Sequence, residues 1–252
     1  MKKILIALSL VLMSIGAKAQ DNQIFNHLSF GVDVGTTGIG FEVAAPITDY
    51  VAVRAGMDIM PQFKYNGSVD INPPSFPSTG YAIPSEIDVE GKLKLTTGKL
   101  LFDVYPFQNS SFHATVGAYF GGKEIISVYN EQDGILMDVT RYNNDHPLNP
   151  LGAKIGDYLL TPDARGNVKG TIEVSGFRPY VGLGFGRAIP KKHRFACCFD
   201  AGVQFWGSPK IYDYNGVELS KEDLDGGGGI VKTLTKLSVW PSVSIRLVGR
   251  IL

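Results

Sequence analysis

From Pro179 to Trp206 the chain reads PYVGLGFGRAIPKKHRFACCFDAGVQFW. Two arms flank a turn at Ala188-Ile189-Pro190-Lys191-Lys192. On the first arm Val181, Leu183 and Phe185 alternate with Gly182, Gly184 and Gly186. On the second, Phe195, Cys197, Phe199, Ala201, Val203 and Phe205 alternate with Ala196, Cys198, Asp200, Gly202 and Gln204. A period of two belongs to a strand with two unlike faces, because successive side chains point to opposite sides. One face is bulky and apolar; the other carries glycine, small residues and charge. A water-soluble sandwich turns the bulky face inward, whereas a membrane barrel turns it toward lipid and keeps the small and polar residues inside. The alternation predicts a hairpin but leaves the two orientations open.

The ends and the charge narrow the choice. The opening MKKILIALSLVLMSIGAKAQ has the parts of a secretory signal: Lys2 and Lys3, an apolar run from Ile4 to Ile15, and Ala17-Lys18-Ala19 as a cleavage site. Residues 1–19 are therefore expected to be removed on export, leaving residues 20–252 as one domain. No later apolar run reaches the ~20 residues of a membrane helix. A membrane location then requires a closed barrel, since in lipid only helices and barrels satisfy every backbone polar group. Lys plus Arg is 24 and Asp plus Glu is 24, a neutral balance that argues against nucleic acid as partner. Cys197 and Cys198 are adjacent and point to opposite faces, so neither a long-range disulfide nor a metal pair is expected, and no cofactor.

Further alternating runs follow the same rule. Leu28–Val34, Ile39–Ala45 and Val51–Ile59 form the first three predicted strands, and Ile87–Tyr105 a long fourth. In the fourth, the apolar parity changes from Leu93 and Leu95 to Leu100, Phe102 and Val104, which predicts a β-bulge near Gly98. Phe112–Phe120 is the fifth, the opening hairpin supplies two more, and Leu237–Leu252 is the last, with Pro241 awkward inside it. Pro61–Ser85, Gly121–Gly170 and Gly207–Leu234 read as long loops; Ile135–Thr140 could add a hairpin strand. The expected fold is all-β: a closed, antiparallel, up-and-down transmembrane barrel of about eight strands, with ten possible. Turns of about five residues at Pro46, Pro106 and Pro190 alternate with the long loops, the asymmetry of periplasmic turns and extracellular loops. Phe112, Phe185 and Phe195 by the short turns, and Phe120, Phe205 and Trp206 by the long loops, would form two aromatic girdles.

FGVDVG, VAVRAGMDI, FHATVGAYFGG, PYVGLGFG and the terminal strand together resemble the small outer-membrane β-barrel family typified by the OmpA membrane domain. The resemblance runs through pattern over the whole mature chain, not through one motif. It departs at the end, where Ile251-Leu252 stands in place of a terminal aromatic residue. It implies location in the outer membrane of a Gram-negative cell, with outer-membrane lipid and the barrel-assembly machinery as partners.

With the bulky face outward, the charged face lines a lumen. Five-residue turns would place Glu42 opposite Arg54, Asp103 opposite His113, and Tyr180 opposite Asp200; closure brings Asp33 near Arg246. With Asp58, these nine residues form the expected lumen polar network. An eight-stranded interior is nearly filled by side chains, so such charges must pair or be wetted. The expected role is a plugged structural or surface-interaction barrel; the alternative is a narrow channel or small-solute transporter, and a lipid-modifying enzyme ranks below both. His113 with Asp103 could supply a base and its orienter, but no serine is fixed beside them and no Gly-x-Ser-x-Gly elbow occurs. In the loops, Asp213–Gly216 and Asp225–Gly229 lack EF-hand spacing and read as surface linkers. Tyr65, Phe76, Tyr81, Tyr129, Tyr142 and Tyr158 could meet an extracellular ligand or protein, or pack on one another.

Overall fold

A computed structural model describes residues 26–72, 80–107, 109–155, 158–191, 193–219 and 238–251. The signal region, Phe76 and Asp225–Gly229 lie outside them. In chain order the elements are β1 (Ser29–Gly35), β2 (Gly38–Thr48), β3 (Val51–Asn72), β4 (Glu86–Val104), β5 (Phe112–Gly121) and β6 (Glu124–Asn130). Helix α1 (Met137–Asp145) follows, then β7 (Gly152–Ile155), β8 (Tyr158–Leu160), β9 (Lys169–Glu173), β10 (Phe177–Phe185), β11 (Phe195–Phe205), β12 (Lys210–Tyr212) and β13 (Val239–Arg250).

The ladder runs β4-β5-β10-β11-β13-β1-β2-β3, and β3 pairs back onto β4. That last pairing closes an eight-stranded antiparallel barrel with no free edge. β1 meets β13 from Ser29↔Arg250 to Gly35↔Ser244, so the first and last barrel strands are neighbours, as expected. Pro241 lies beyond that stretch and pairs only with Val203 of β11, where its missing N–H is tolerated.

Exposure decides the faces. Val116, Leu183 and Ile245 are 48%, 56% and 53% exposed, while Asp103 and Arg246 on the other face are 0% and 1% exposed. Water does not reward an apolar exterior around a charged interior, but lipid does. The described residues include no helix long and apolar enough to cross a membrane.

Beyond the barrel the polarity reverses. β3 and β4 continue past the rim as a paired hairpin from Phe63↔Leu93 to Asp70↔Glu86. β6, β9 and β12 add to the β4 side and β7 and β8 to the end of β3, giving a thirteen-stranded sheet. Ile87, Val89, Leu136, Val139, Leu160 and Ile172 are buried there in an apolar core of the water-soluble kind. This cap corrects two expectations and leaves the strand count as expected. The first part of Pro61–Ser85, residues 61–72, is strand, because β3 runs to Asn72. Ile135–Thr140 is turn and the start of α1, where Val139 and Tyr142, three apart on one face, are buried and Asp138 sits favourably in the first turn. The extra strands lie in the cap, so the barrel count stays at eight.

The bulge is also elsewhere. On β4, Ile87, Val89, Leu95, Thr97, Lys99, Leu101 and Asp103 all point inward without a break at Gly98. The apolar parity changes because the surroundings change: inward means an apolar core in the cap and a polar lumen in the barrel. The register irregularity falls on β3, where the four residues Met60–Phe63 face the three from Leu93 to Leu95 on β4; Pro61, which cannot donate, sits within it.

Candidate functional site: the barrel lumen

Two arginines cross the middle of the lumen. Arg54 on β3 donates through Nη2 and Nε to Asp103 Oδ1 at 2.9 and 3.1 Å, through Nη1 to Glu42 Oε2 at 3.3 Å and through Nη2 to Asp200 Oδ1 at 3.3 Å. Arg246 on β13 donates through Nη1 to Glu42 Oε1 at 2.7 Å and through Nε to Asp200 Oδ2 at 3.1 Å. Glu42 and Asp200 each bridge both guanidinium groups, so β2, β3, β4, β11 and β13 are tied by one charged web. Thr115 on β5 donates to Asp103 Oδ1 at 2.8 Å. His113 places Nε2 3.0 Å from Asp200 Oδ1 and Nδ1 3.3 Å from the Ser111 carbonyl. Both neighbours are acceptors, so either neutral tautomer leaves one contact without a proton.

A second group lies nearer the cap. Lys99 Nζ is 2.6 Å from Asp33 Oδ1, 2.8 Å from Asp58 Oδ1 and 3.4 Å from Glu42 Oε2. All of these side chains are almost fully buried, where an unpaired charge is very costly; pairing makes the interior tolerable. Glycines make the room: a methyl on Gly40 would collide with the carboxylates of Asp33 and Asp58, and one on Gly184 with the His113 ring.

The short-turn mouth is closed differently. The segment after β10 folds inward, placing fully buried Ala188 against Ala44, Ala52 and Tyr105. Ala188 donates its N–H to Tyr105 Oη at 2.9 Å and accepts from Ser29 Oγ at 2.6 Å. Arg187 lies over the Tyr105 ring at 4.7 Å. Outside this closure remains a recess of about 320 Å³ lined by residues including His27, Asp49, Lys191 and Arg250.

No protein-family model and no curated protein matches this chain. Two solved structures are similar to it. The crystal structure of Acinetobacter baumannii CarO2 is 16% identical with a TM-score of 0.49, over 91% of this chain and 100% of that one. That of Acinetobacter baumannii CarO is 15% identical with a TM-score of 0.45, over 91% and 99%. The barrel assignment rests on the closed ladder of this chain itself.

All nine residues expected in the lumen point into it, but their pairing differs. Glu42 faces Gly56 and Arg54 faces Ala44, so Glu42 and Arg54 meet diagonally. Asp103 faces Thr115; His113 bonds Asp200 instead. Tyr180 faces Gln204, and Asp200 faces Gly184. Only Asp33 and Arg246 face one another as expected. The reason is turn length. The connections are Asp49–Tyr50 after an irregularity at Pro46, Tyr105–Ser111, and Gly186–Arg194, none of them five residues, and each change slides the facing pairs. Trp206 is no girdle residue: it is buried and stacked on Trp240, with ring centroids 4.6 Å apart. Lys99, Thr115, Arg178 and Gln204 were missed. Parity could have found them, since Lys99 lies two positions from Leu101 and four from Asp103 on one face.

Among the cap aromatics, Tyr81 packs edge-on against Tyr142, and Tyr158 is buried. Tyr129 donates to Glu90 Oε1 at 2.8 Å beneath the Lys92 ammonium, and Tyr65 is exposed. Asp213 Oδ1 accepts from the N–H groups of Asn215 and Val217, which makes that loop a self-contained turn.

Proposed function

We propose that this chain is an integral outer-membrane β-barrel protein with a non-enzymatic role: a plugged barrel that holds its cap at the cell surface for contact with partners. The cleaved signal, assembly into the outer membrane and both chain ends on the periplasmic side belong to this reading. The observation that carries it is the web joining Arg54 and Arg246 through Glu42 and Asp200 across the lumen. A conducting pore wets its charged lining, whereas these side chains are at most 5% exposed. The inward fold at Ala188 adds a second barrier. His113 supports the same reading, because Nε2 is taken by Asp200, which itself belongs to the web. The long-connection end offers a built surface of strands and one helix, whereas the other end offers turns.

The test joins fractionation with conductance. The protein should sediment with outer membranes, and the unboiled sample should migrate faster on a gel than the boiled one. In planar bilayers it should give no steady conductance, whereas Arg54→Ala combined with Asp103→Ala should admit ions. Ohmic conductance from the unaltered protein would overturn the plugged reading; a soluble, heat-insensitive product would overturn the membrane reading.

A further inference from the structure

We propose that the cap-side end of the lumen binds a small oxyanion, a carboxylate or phosphate group, gripped side-on by Arg178. Arg178, on β10 beside the exposed Phe177, is fully buried. Its Nη1 donates to the Gly122 carbonyl at 2.9 Å. Its Nε and Nη2, the edge that holds a carboxylate or phosphate with two parallel bonds, are buried with no acceptor among the described residues. Adjacent strands bring more donors to the same end. Gln204 on β11 faces Tyr180, two positions from Arg178, and Trp240 on β13 faces Gln204. Gln204 Nε2 and Trp240 Nε1 are likewise buried without an acceptor. The amide cannot be turned to hide this, because Gln204 Oε1 takes the Trp206 indole N–H at 3.3 Å, and an indole only donates.

The lumen carboxylates do not supply the missing acceptor. Asp33, Glu42, Asp103 and Asp200 accept hydrogen bonds from Lys99, Arg54 or Arg246, and Asp58, whose oxygens accept none, is ion-paired with Lys99 at 2.8 Å. Four unmet donor atoms with one full positive charge among them call for a ligand that is all acceptor and negatively charged. A water molecule accepts too few bonds and leaves the guanidinium uncompensated; an oxyanion does both. The inference goes beyond the plugged-barrel reading, since binding at one end requires no passage through the other.

The chain's 2 tryptophans, Trp206 and Trp240, both stand at this site, so tryptophan emission, excited at the red edge where tyrosine does not absorb, reports on it. The full mature protein, purified in detergent, is titrated with sodium phosphate and with sodium acetate at constant ionic strength set by chloride. A saturable emission change with either salt is expected. A response to phosphate alone or acetate alone assigns the class. Arg178→Lys keeps the charge but loses the fork, and should weaken the response by about tenfold or more. Gln204→Leu keeps the arginine and should weaken it several-fold. Heat-modifiable mobility certifies that each variant is folded. No saturable change with either salt, or equal affinity in folded Arg178→Lys and Gln204→Leu variants, overturns the proposal. Conductance has no part in this readout, so its failure is separate from that of the plugged barrel.

Discussion

Arg246 on the last barrel strand reaches Glu42 on the second, Nη1 to Oε1 at 2.7 Å, between residues 204 positions apart in sequence. Glu42 also accepts from Arg54, and Arg246 also donates to Asp200. The barrel is thus cross-braced through its interior as well as around its wall. Arg246→Met leaves Glu42 and Asp200 each short of a cation in a dry interior. The expected loss is about 3–5 kcal/mol, the usual result of removing one partner from a buried pair. Urea unfolding in lipid vesicles, followed by the gel shift between folded and boiled forms, measures it. A loss under ~1 kcal/mol would mean that water enters the lumen freely.

Gly40 tests how tightly the Lys99 group is packed. Gly40→Ala pushes on the carboxylates of Asp33 and Asp58 that hold Lys99, and should destabilise by roughly 1–3 kcal/mol. Gly91→Ala, in the cap hairpin, meets only the Tyr65 carbonyl at 3.5 Å and should fall within about 0.5 kcal/mol of the unaltered protein. The same unfolding assay compares the two, and equal effects would contradict the packing argument.

Val116 faces outward in mid-strand, between Val181 and Phe102. Val116→Arg places a charge on the lipid face near mid-height, with an expected cost of roughly 2–4 kcal/mol. Tyr65→Arg, on the exposed cap hairpin, should change stability by no more than ~0.5 kcal/mol. Refolding yield into vesicles of the two variants should therefore diverge; matched yields would place the lipid boundary elsewhere.

Glu90 in the cap gives a pH response. Hydrogen bonds from Lys64 and then Lys92, each Nζ 3.1 Å from a carboxylate oxygen, hold its carboxyl below the ordinary 4.5. A depressed folded value stabilises above the unfolded value and is lost as pH falls through the folded one. Protection of the Phe63–Asp70 amides, taken as the exchange rate relative to that of the unfolded chain at the same pH, should therefore fall below about pH 4.5 and stay level between pH 5 and 8. Glu90→Gln should remove that acid dependence; a variant that keeps it would assign the effect to another carboxylate.

The strand pattern determined much of this protein by itself. Side chains alternate wherever a strand runs, so Val181, Leu183 and Phe185 had to share one face and Asp33, Glu42, Arg54 and Asp200 the other, whatever surrounds them. The secretory signal and the sorting of turns and loops by end then pointed the bulky face toward lipid. Tertiary structure decided what depends on distance along the chain. Which residue faces which follows from turn geometry, and a turn two residues shorter or longer replaces Arg54 by Gly56 opposite Glu42. The change of apolar parity along β4 has the same local look whether it comes from an inserted residue or from leaving the membrane; only the core around Ile87, Val89 and Leu136 shows that it is the second. Arg178 also reads as one more charged strand residue in sequence. Its lack of an acceptor is a property of three adjacent strands, because an unmet donor is defined by every atom that fails to reach it.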